Sequence, residues 1–300
     1  MDSRFTGAFT ALATPFTADG SALDLARLEA AIDRQAAGGI TGVVPCGTTG
    51  ESPTLTPHEH RSMVERTIAL ARERGLLVIA GAGSNNTAHA LELHRLAADL
   101  GADAALHVCP YYNKPTQQGL IHHFTTLADG ADLPIVVYNI PGRSGCCLDV
   151  DSIVRLAEHR NIVAVKDATG GLSSAIDVLR RTDLVVLSGD DPLTLPMMAL
   201  GGGGVVSVVS NVLPAAVAGL CHAMLSDDLP SAREHHATLL PMAQALLALD
   251  SNPVPLKTVL AILGHDSGAV RAPLVPIGTA AHCTLEGLVA GHFGQVEQTA

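Results

Sequence analysis

Lysine is scarce in this chain: Lys114, Lys166 and Lys257 are the only three among 18 lysines and arginines in 300 residues. Lys166 closes the apolar run Asn161-Ile162-Val163-Ala164-Val165-Lys166, where a charged side chain is costly unless it has a task. Arginine could not substitute there. Guanidinium stays protonated, whereas a desolvated ammonium sheds its proton near neutral pH and becomes a nucleophile for carbonyl carbon. Imine chemistry on a carbonyl substrate therefore suits this position. It also needs a proton shuttle, and a phenol can supply one. The three tyrosines, Tyr111, Tyr112 and Tyr138, each follow an apolar run and are expected at the starts of loops. Lys114, in an Asn-Lys-Pro loop, and Lys257, in a helical segment, lack the buried strand-end setting that would activate them. The plainer alternative is a lysine that snorkels to solvent, with tyrosines filling gaps.

The elements that must hold these residues recur along the chain. Short β-branched runs lie near residues 8–13, 42–45, 76–80, 104–109, 134–138, 162–166, 184–187 and 205–209, each followed by a segment of helical periodicity. Near-continuous apolar strands alternating with helices imply a parallel sheet covered on its outer side, and eight such units predict a closed (β/α)8 TIM barrel. Thr56-Pro57-His58-Glu59 carries a capping box with proline at the first helical position, and the helix it opens should stop at Gly75. Leu25, Leu28, Ile32 and Ala36 form one apolar face of an earlier helix. Residues 1–213 are expected to form the barrel core, and 214–300 the last barrel helix and a C-terminal helical extension.

In such a barrel the functional groups sit at the carboxyl ends of the strands. Gly47-Thr48-Thr49-Gly50-Glu51, Pro110-Tyr111-Tyr112-Asn113-Lys114-Pro115, Tyr138-Asn139-Ile140-Pro141-Gly142-Arg143-Ser144-Gly145, Lys166-Asp167-Ala168-Thr169-Gly170 and Ser188-Gly189-Asp190-Asp191 all fall there. Gly81-Ala82-Gly83 lacks the third glycine of a dinucleotide fingerprint, and no Lys-Ser/Thr follows Gly201 to Gly204. That glycine run is expected to allow close approach to a small ligand. Cys46, beside the first loop, is expected to be a buried structural thiol.

Composition narrows the partners. With 18 basic against 29 acidic residues, a formal net charge of −11, and no Lys/Arg-rich run, the chain is unsuited to nucleic acid or an anionic membrane. No apolar stretch reaches the eighteen or so residues of a membrane span, and no signal pattern opens the sequence, so a cytoplasmic location is expected. Six scattered cysteines without a CxxC pair are expected to stay reduced. The 14 histidines include no HExxH, so no metal is expected.

Taken together, the five loop motifs and Ser251-Asn252-Pro253-Val254-Pro255-Leu256-Lys257 resemble the dihydrodipicolinate synthase and N-acetylneuraminate lyase superfamily of class I aldolases, with the synthase branch the nearest likeness. The resemblance runs through the whole chain in the family's order. It implies condensation of pyruvate with aspartate 4-semialdehyde and no cofactor. By position, Lys166 would form the imine, Tyr138 would donate and accept protons, and Thr48 with Tyr112 would relay them. Thr49 and the backbone amides of the Gly47–Gly50 turn would hold the pyruvate carboxylate, and the Val206 main chain would contact pyruvate. Arg143 would bind the carboxylate of the second substrate; together with Thr48 it sets the chain apart from sialic acid lyases. Other pyruvate-dependent aldolases, acting on 4-hydroxy-2-oxoglutarate or sugar acids, keep the lysine and tyrosine and remain the alternative activities, and a barrel retained for binding alone is a third reading. The resemblance also implies a homotetramer of tight dimers, in which Tyr112 completes the partner's relay. Ser52, His60, Asn85 and Tyr111 match the family's lysine-inhibition set, but Pro57 and His89 replace a histidine and a glutamate, so feedback by lysine is expected to be weak.

Overall fold

The computed structural model describes residues 2–294. Eight parallel strands close on themselves in chain order: β1 (Gly7–Ala11), β2 (Gly42–Val44), β3 (Leu77–Gly81), β4 (Ala104–Val108), β5 (Ile135–Asn139), β6 (Ile162–Asp167), β7 (Val185–Ser188) and β8 (Gly204–Ser207). The barrel interior is packed by Phe9, Val44, Ile79, Leu106, Val136, Ala164, Leu187 and Val206, with Tyr138 on top of them. Around it run α1 (Leu25–Ala37), α2 (Pro57–Glu73), α3 (Thr87–Leu100), α4 (Gln117–Gly130), the single turn α5 (Pro141–Ser144), α6 (Val150–Leu156), α7 (Ser173–Arg181), α8 (Thr194–Ala199) and α9 (Pro214–Leu225). The expected (β/α)8 barrel is the observed fold.

Local chemistry explains the boundaries. Thr56 accepts from the Glu59 amide at 3.2 Å while the Glu59 carboxylate accepts from the Thr56 amide at 2.9 Å, so the capping box of α2 is complete, with Pro57 at its first position. In α1, Leu28 and Ile32 are buried as the periodicity predicts, but Leu25, the first helical residue, is exposed. Its place in the packed face is taken by Gln35, which accepts from Thr10 at 2.6 Å and donates to the Ser210 carbonyl at 3.2 Å. β8 stops at Ser207 rather than Val209 because the Asp191 carboxylate takes the Val208 and Val209 amides, at 2.9 and 3.1 Å. Tyr138 does not begin a loop: the β5 ladder continues through it to Asn139, and it is buried.

The glycine run before β8 also differs from expectation. A Cβ on Gly204 would stand 1.9 Å from the Gly7 carbonyl oxygen, and one on Gly203 would stand 2.5 Å from the Val185 side chain. These glycines let β8 close against β1 at the amino-terminal end of the barrel, away from the carboxyl ends of the strands.

Beyond the barrel lie α10 (Leu229–Ala248), α11 (Val254–Ile262) and α12 (Thr279–Phe293). One apolar cluster runs from Ala8 and Val205 through Val217 and Leu220 to Leu239, Met242, Leu256, Val259, Leu285 and Val289, so these helices share a core with the barrel wall. The final six residues of the expected extension lie outside the described residues. Among the described residues no helix is long and apolar enough to cross a membrane.

Candidate active site

Tyr138 and Lys166 are direct partners in the β5–β6 register, so both side chains project to the same side of the sheet, into the top of the barrel. The Lys166 amine sits 4.1 Å from the centre of the Tyr138 ring. Burial lowers the Lys166 amine to about 8, against the pull of the nearby Asp191 and Asp190 carboxylates and with help from the Arg143 charge. A substantial fraction is thus neutral and nucleophilic near neutral pH. Burial raises Tyr138 above its ordinary value; the Arg143 charge opposes this, Asp190 adds to it, and a hydrogen bond with Thr48 opposes it. Tyr138 therefore rests protonated, ready to donate.

The turn after β2 supplies the next groups. The amides of Gly50 and Ser52 bond to the Gly47 carbonyl, at 3.1 and 3.3 Å, and the Glu51 amide to that of Thr48 at 3.1 Å. The Thr48 and Thr49 amides find no protein acceptor among the described residues. Such free donors suit a small carboxylate. A Cβ on Gly50 would press on the Cys46 backbone at 3.0 Å, so the tight turn requires glycine there, whereas Gly47 faces open space. Thr49 is buried and its hydroxyl accepts from the Asn252 amide at 3.0 Å. Val206, in β8, is buried in the barrel interior beside Phe9.

Arg143 lies on the exposed turn α5, yet its charge reaches both Tyr138 and Lys166. Tyr112 stands apart. It is 88% exposed, with a left-handed backbone (φ 74°) and its amide on the Ser144 carbonyl at 3.2 Å, so a single chain does not bring its phenol to Tyr138. The other predicted residues lie at or beyond the carboxyl ends of the strands, except Val206, which sits within the barrel interior.

Several residues at the rim had motifs that were legible but roles that were not. Asp191 is buried, accepts from the Ser207 hydroxyl as well as two amides, and faces Lys166 with Asp190. Asp167 fixes the loop after β6 by accepting from the Thr169 amide at 2.9 Å and hydroxyl at 2.7 Å. Gly189 leaves room for the Lys166 side chain. Lys257 corrects the expectation for it: it is fully buried, with its amine on the Glu51 carboxylate at 2.9 Å and on the Thr14 carbonyl at 3.0 Å. Its scarcity carried the same signal as that of Lys166, but a helical position hides the burial that a strand end advertises. Lys114 is exposed. Burial pushes the Cys46 thiol up to about 12, the reverse of an activated nucleophile. No group of three or more metal-ligating side chains is gathered among the described residues.

A parallel eight-stranded barrel whose strand ends pair a depressed lysine with a buried tyrosine can form an imine on a carbonyl substrate. The Dihydrodipicolinate synthetase family model matches residues 4–290, and the chain belongs to that family. It is 48% identical over 276 residues to a 4-hydroxy-tetrahydrodipicolinate synthase of Methanothrix thermoacetophila, covering 91% of this chain and 92% of that protein. It is 46% identical over 275 residues to the synthase of Geobacter sulfurreducens, covering 91% and 93%. The dihydrodipicolinate synthase structure from Aquifex aeolicus superposes with a TM-score of 0.93 at 41% identity, covering 96% of this chain and 98% of that one.

Proposed function

We propose that this chain is a lyase that condenses pyruvate with L-aspartate 4-semialdehyde to 4-hydroxy-tetrahydrodipicolinate, with loss of one water. The Lys166 amine attacks the pyruvate ketone, Tyr138 protonates the departing hydroxyl, and the resulting imine accepts the electrons of a methyl C–H bond whose proton leaves. That proton goes to the Tyr138 phenolate, the enamine carbon then attacks the aldehyde, Tyr138 returns the proton to the new alkoxide, and the amine of the second substrate displaces Lys166. Thr49 and the free turn amides bind the pyruvate carboxylate, with the Val206 main chain against the substrate. Arg143 binds the carboxylate of the semialdehyde through its planar fork. Thr48 and a neighbouring subunit's copy of Tyr112 extend the relay from Tyr138, within a homotetramer built of two tight dimers.

The observation that carries this reading is the Lys166 amine, held at about 8 by burial and facing Tyr138 across adjacent strands. The high coverage of the synthases it resembles supports the substrate pair over other aldehydes. A panel of aldehydes offered with pyruvate tests it, with product release followed through a coupled reductase. Turnover of 4-hydroxy-2-oxoglutarate or a sugar acid in preference to the semialdehyde would overturn it, as would binding without turnover.

Lysine should inhibit weakly. His89, where the sensitive pattern has a glutamate, is exposed and bonded to Glu92 at 3.2 Å, and Pro57 has no polar side chain, so neither supplies an anionic acceptor for an ammonium group. Half-inhibition at submillimolar lysine would contradict this.

A further inference from the structure

The turn proposed to hold pyruvate is not secured by the barrel alone. Glu51, its last residue, adopts a left-handed backbone (φ 52°), a conformation that costs a non-glycine residue energy unless its surroundings impose it. What imposes it comes from more than 200 residues away. One Glu51 oxygen accepts from the Lys257 amine at 2.9 Å, and the other from the Arg271 backbone amide at 2.9 Å. The same Lys257 amine donates to the Thr14 carbonyl at 3.0 Å and lies 4.2 Å over the Phe16 ring. Thr14 in turn donates its hydroxyl to the Gly50 carbonyl at 2.7 Å. Five residues before Lys257, Asn252 donates to the Thr49 hydroxyl at 3.0 Å. The turn is gripped at Thr49, at Gly50 and at Glu51, and two of those three grips belong to the segment around α11.

The geometry points to Lys257 and Asn252 as positioning residues for the reaction: through Glu51 and Thr49 they set where the Thr48 and Thr49 donors stand relative to Lys166. This rests on the proposed reading of the turn as the pyruvate carboxylate site. Neither residue touches the reacting atoms.

A purely structural role would read differently. A fully buried ion pair is a poor source of stability, since apolar residues of similar volume often replace one at no loss, while removing a single partner strands a buried charge. Fixing direction is what such a pair does better than an apolar contact, because its hydrogen bonds specify one orientation of the turn. Small displacements of binding groups cost catalysis out of proportion to their size.

The decisive experiment uses the full chain with Glu51→Leu/Lys257→Met as a double variant and Asn252→Ala as a second variant. Melting temperature, the pyruvate concentration that gives half-maximal borohydride trapping on Lys166, and KM for each substrate are measured. The double variant should melt below the parent, since the Arg271 amide and the Thr14 carbonyl lose their partners, while its half-trapping concentration rises about tenfold or more, with KM for the semialdehyde changing much less. Asn252→Ala, which removes a partly exposed amide, should shift trapping in the same direction even if the double variant fails to fold. Parental pyruvate dependence in a folded double variant, or in Asn252→Ala, would overturn the inference. Failure of the unmutated chain to trap pyruvate would count against the proposed function instead. Amide hydrogen exchange at residues 50–52, measured without substrate, would still decide the positioning role: it should quicken in each folded variant, and unchanged protection would refute it.

Discussion

Gly189 and Lys166 are in contact range by design of the backbone: a Cβ added at 189 would stand 3.1 Å from the Lys166 Cε and 2.7 Å from the Ala168 Cβ. The Gly189 amide also donates to the Asp167 carbonyl at 2.6 Å, so this backbone cannot retreat without breaking that bond. Gly189→Ala should therefore press on the backbone at Ala168 as well as on the lysine stem. Adduct formation with pyruvate is expected to slow about tenfold or more, together with a drop in melting temperature. A variant with parental trapping rates would show that the lysine stem has slack.

Lys166 also predicts a pH dependence. Its folded value of about 8 means that the neutral amine is the minor form at pH 6 and the major form at pH 9. The rate of imine formation should rise with pH and level off above about 8, measured by rapid borohydride quench. Peptide mapping should place the label on Lys166. A label on Lys257 would contradict its engagement by Glu51, and a pH-independent rate would contradict the burial argument.

Arg143→Ala should separate the two substrates. Pyruvate trapping should survive, whereas kcat/KM for the semialdehyde should fall by roughly 2 to 4 kcal/mol, about 30- to 1,000-fold, for loss of a bidentate charged contact. Equal losses for both substrates would move Arg143 from binding the second carboxylate to supporting the lysine.

Tyr112 predicts complementation between chains. Mixed assemblies of Tyr112→Phe and Lys166→Ala subunits should regain activity, because one combination of subunits restores a site with both side chains. Verified heterodimers without recovery would argue that each chain's site is self-contained.

Acid should destabilise the fold through three buried histidines. Burial lowers His94 and His123 to about 4 and holds His107 well below its ordinary value, with the His94 and His107 rings joined at 3.1 Å. Between about 6.5 and 4 the unfolded chain binds protons that the folded chain refuses, so stability falls as pH drops through that window. Each of His94 and His123 can cost up to about 3 kcal/mol by its lower end. Urea denaturation at pH 7, 6 and 5 checks this, and His94→Gln should flatten the slope; a flat profile in the unmutated chain would exclude the histidines as its acid-labile groups.

The sequence was most legible where one element's local chemistry decides the outcome. Thr56, Pro57 and Glu59 announce the start of α2 by themselves, and the apolar run up to Val165 announces a strand whose end exposes an amine to the barrel top. It was least legible where two distant segments meet. That the Gly201–Gly204 run serves closure depends on Gly7, some 200 residues earlier. Tyr138 reads as a loop residue because the pairing that keeps it in β5 is made with Lys166 on the next strand. Lys257 reads as a surface lysine of a helix because nothing local reveals that Glu51 will face it.

That last pairing has a consequence for synthesis. All eight strands have been made once Ser207 leaves the ribosome, yet the cation that neutralises Glu51 follows only with Lys257, roughly fifty residues later. At about 5–20 residues per second the nascent barrel passes several seconds with a carboxylate that must be buried and has no counter-charge. Closing the barrel early would trap that charge, so a nascent chain does better to keep the strand-two turn open until the last helices arrive. Arrest of translation just before Lys257 should leave this turn protease-sensitive, and arrest well after it should not.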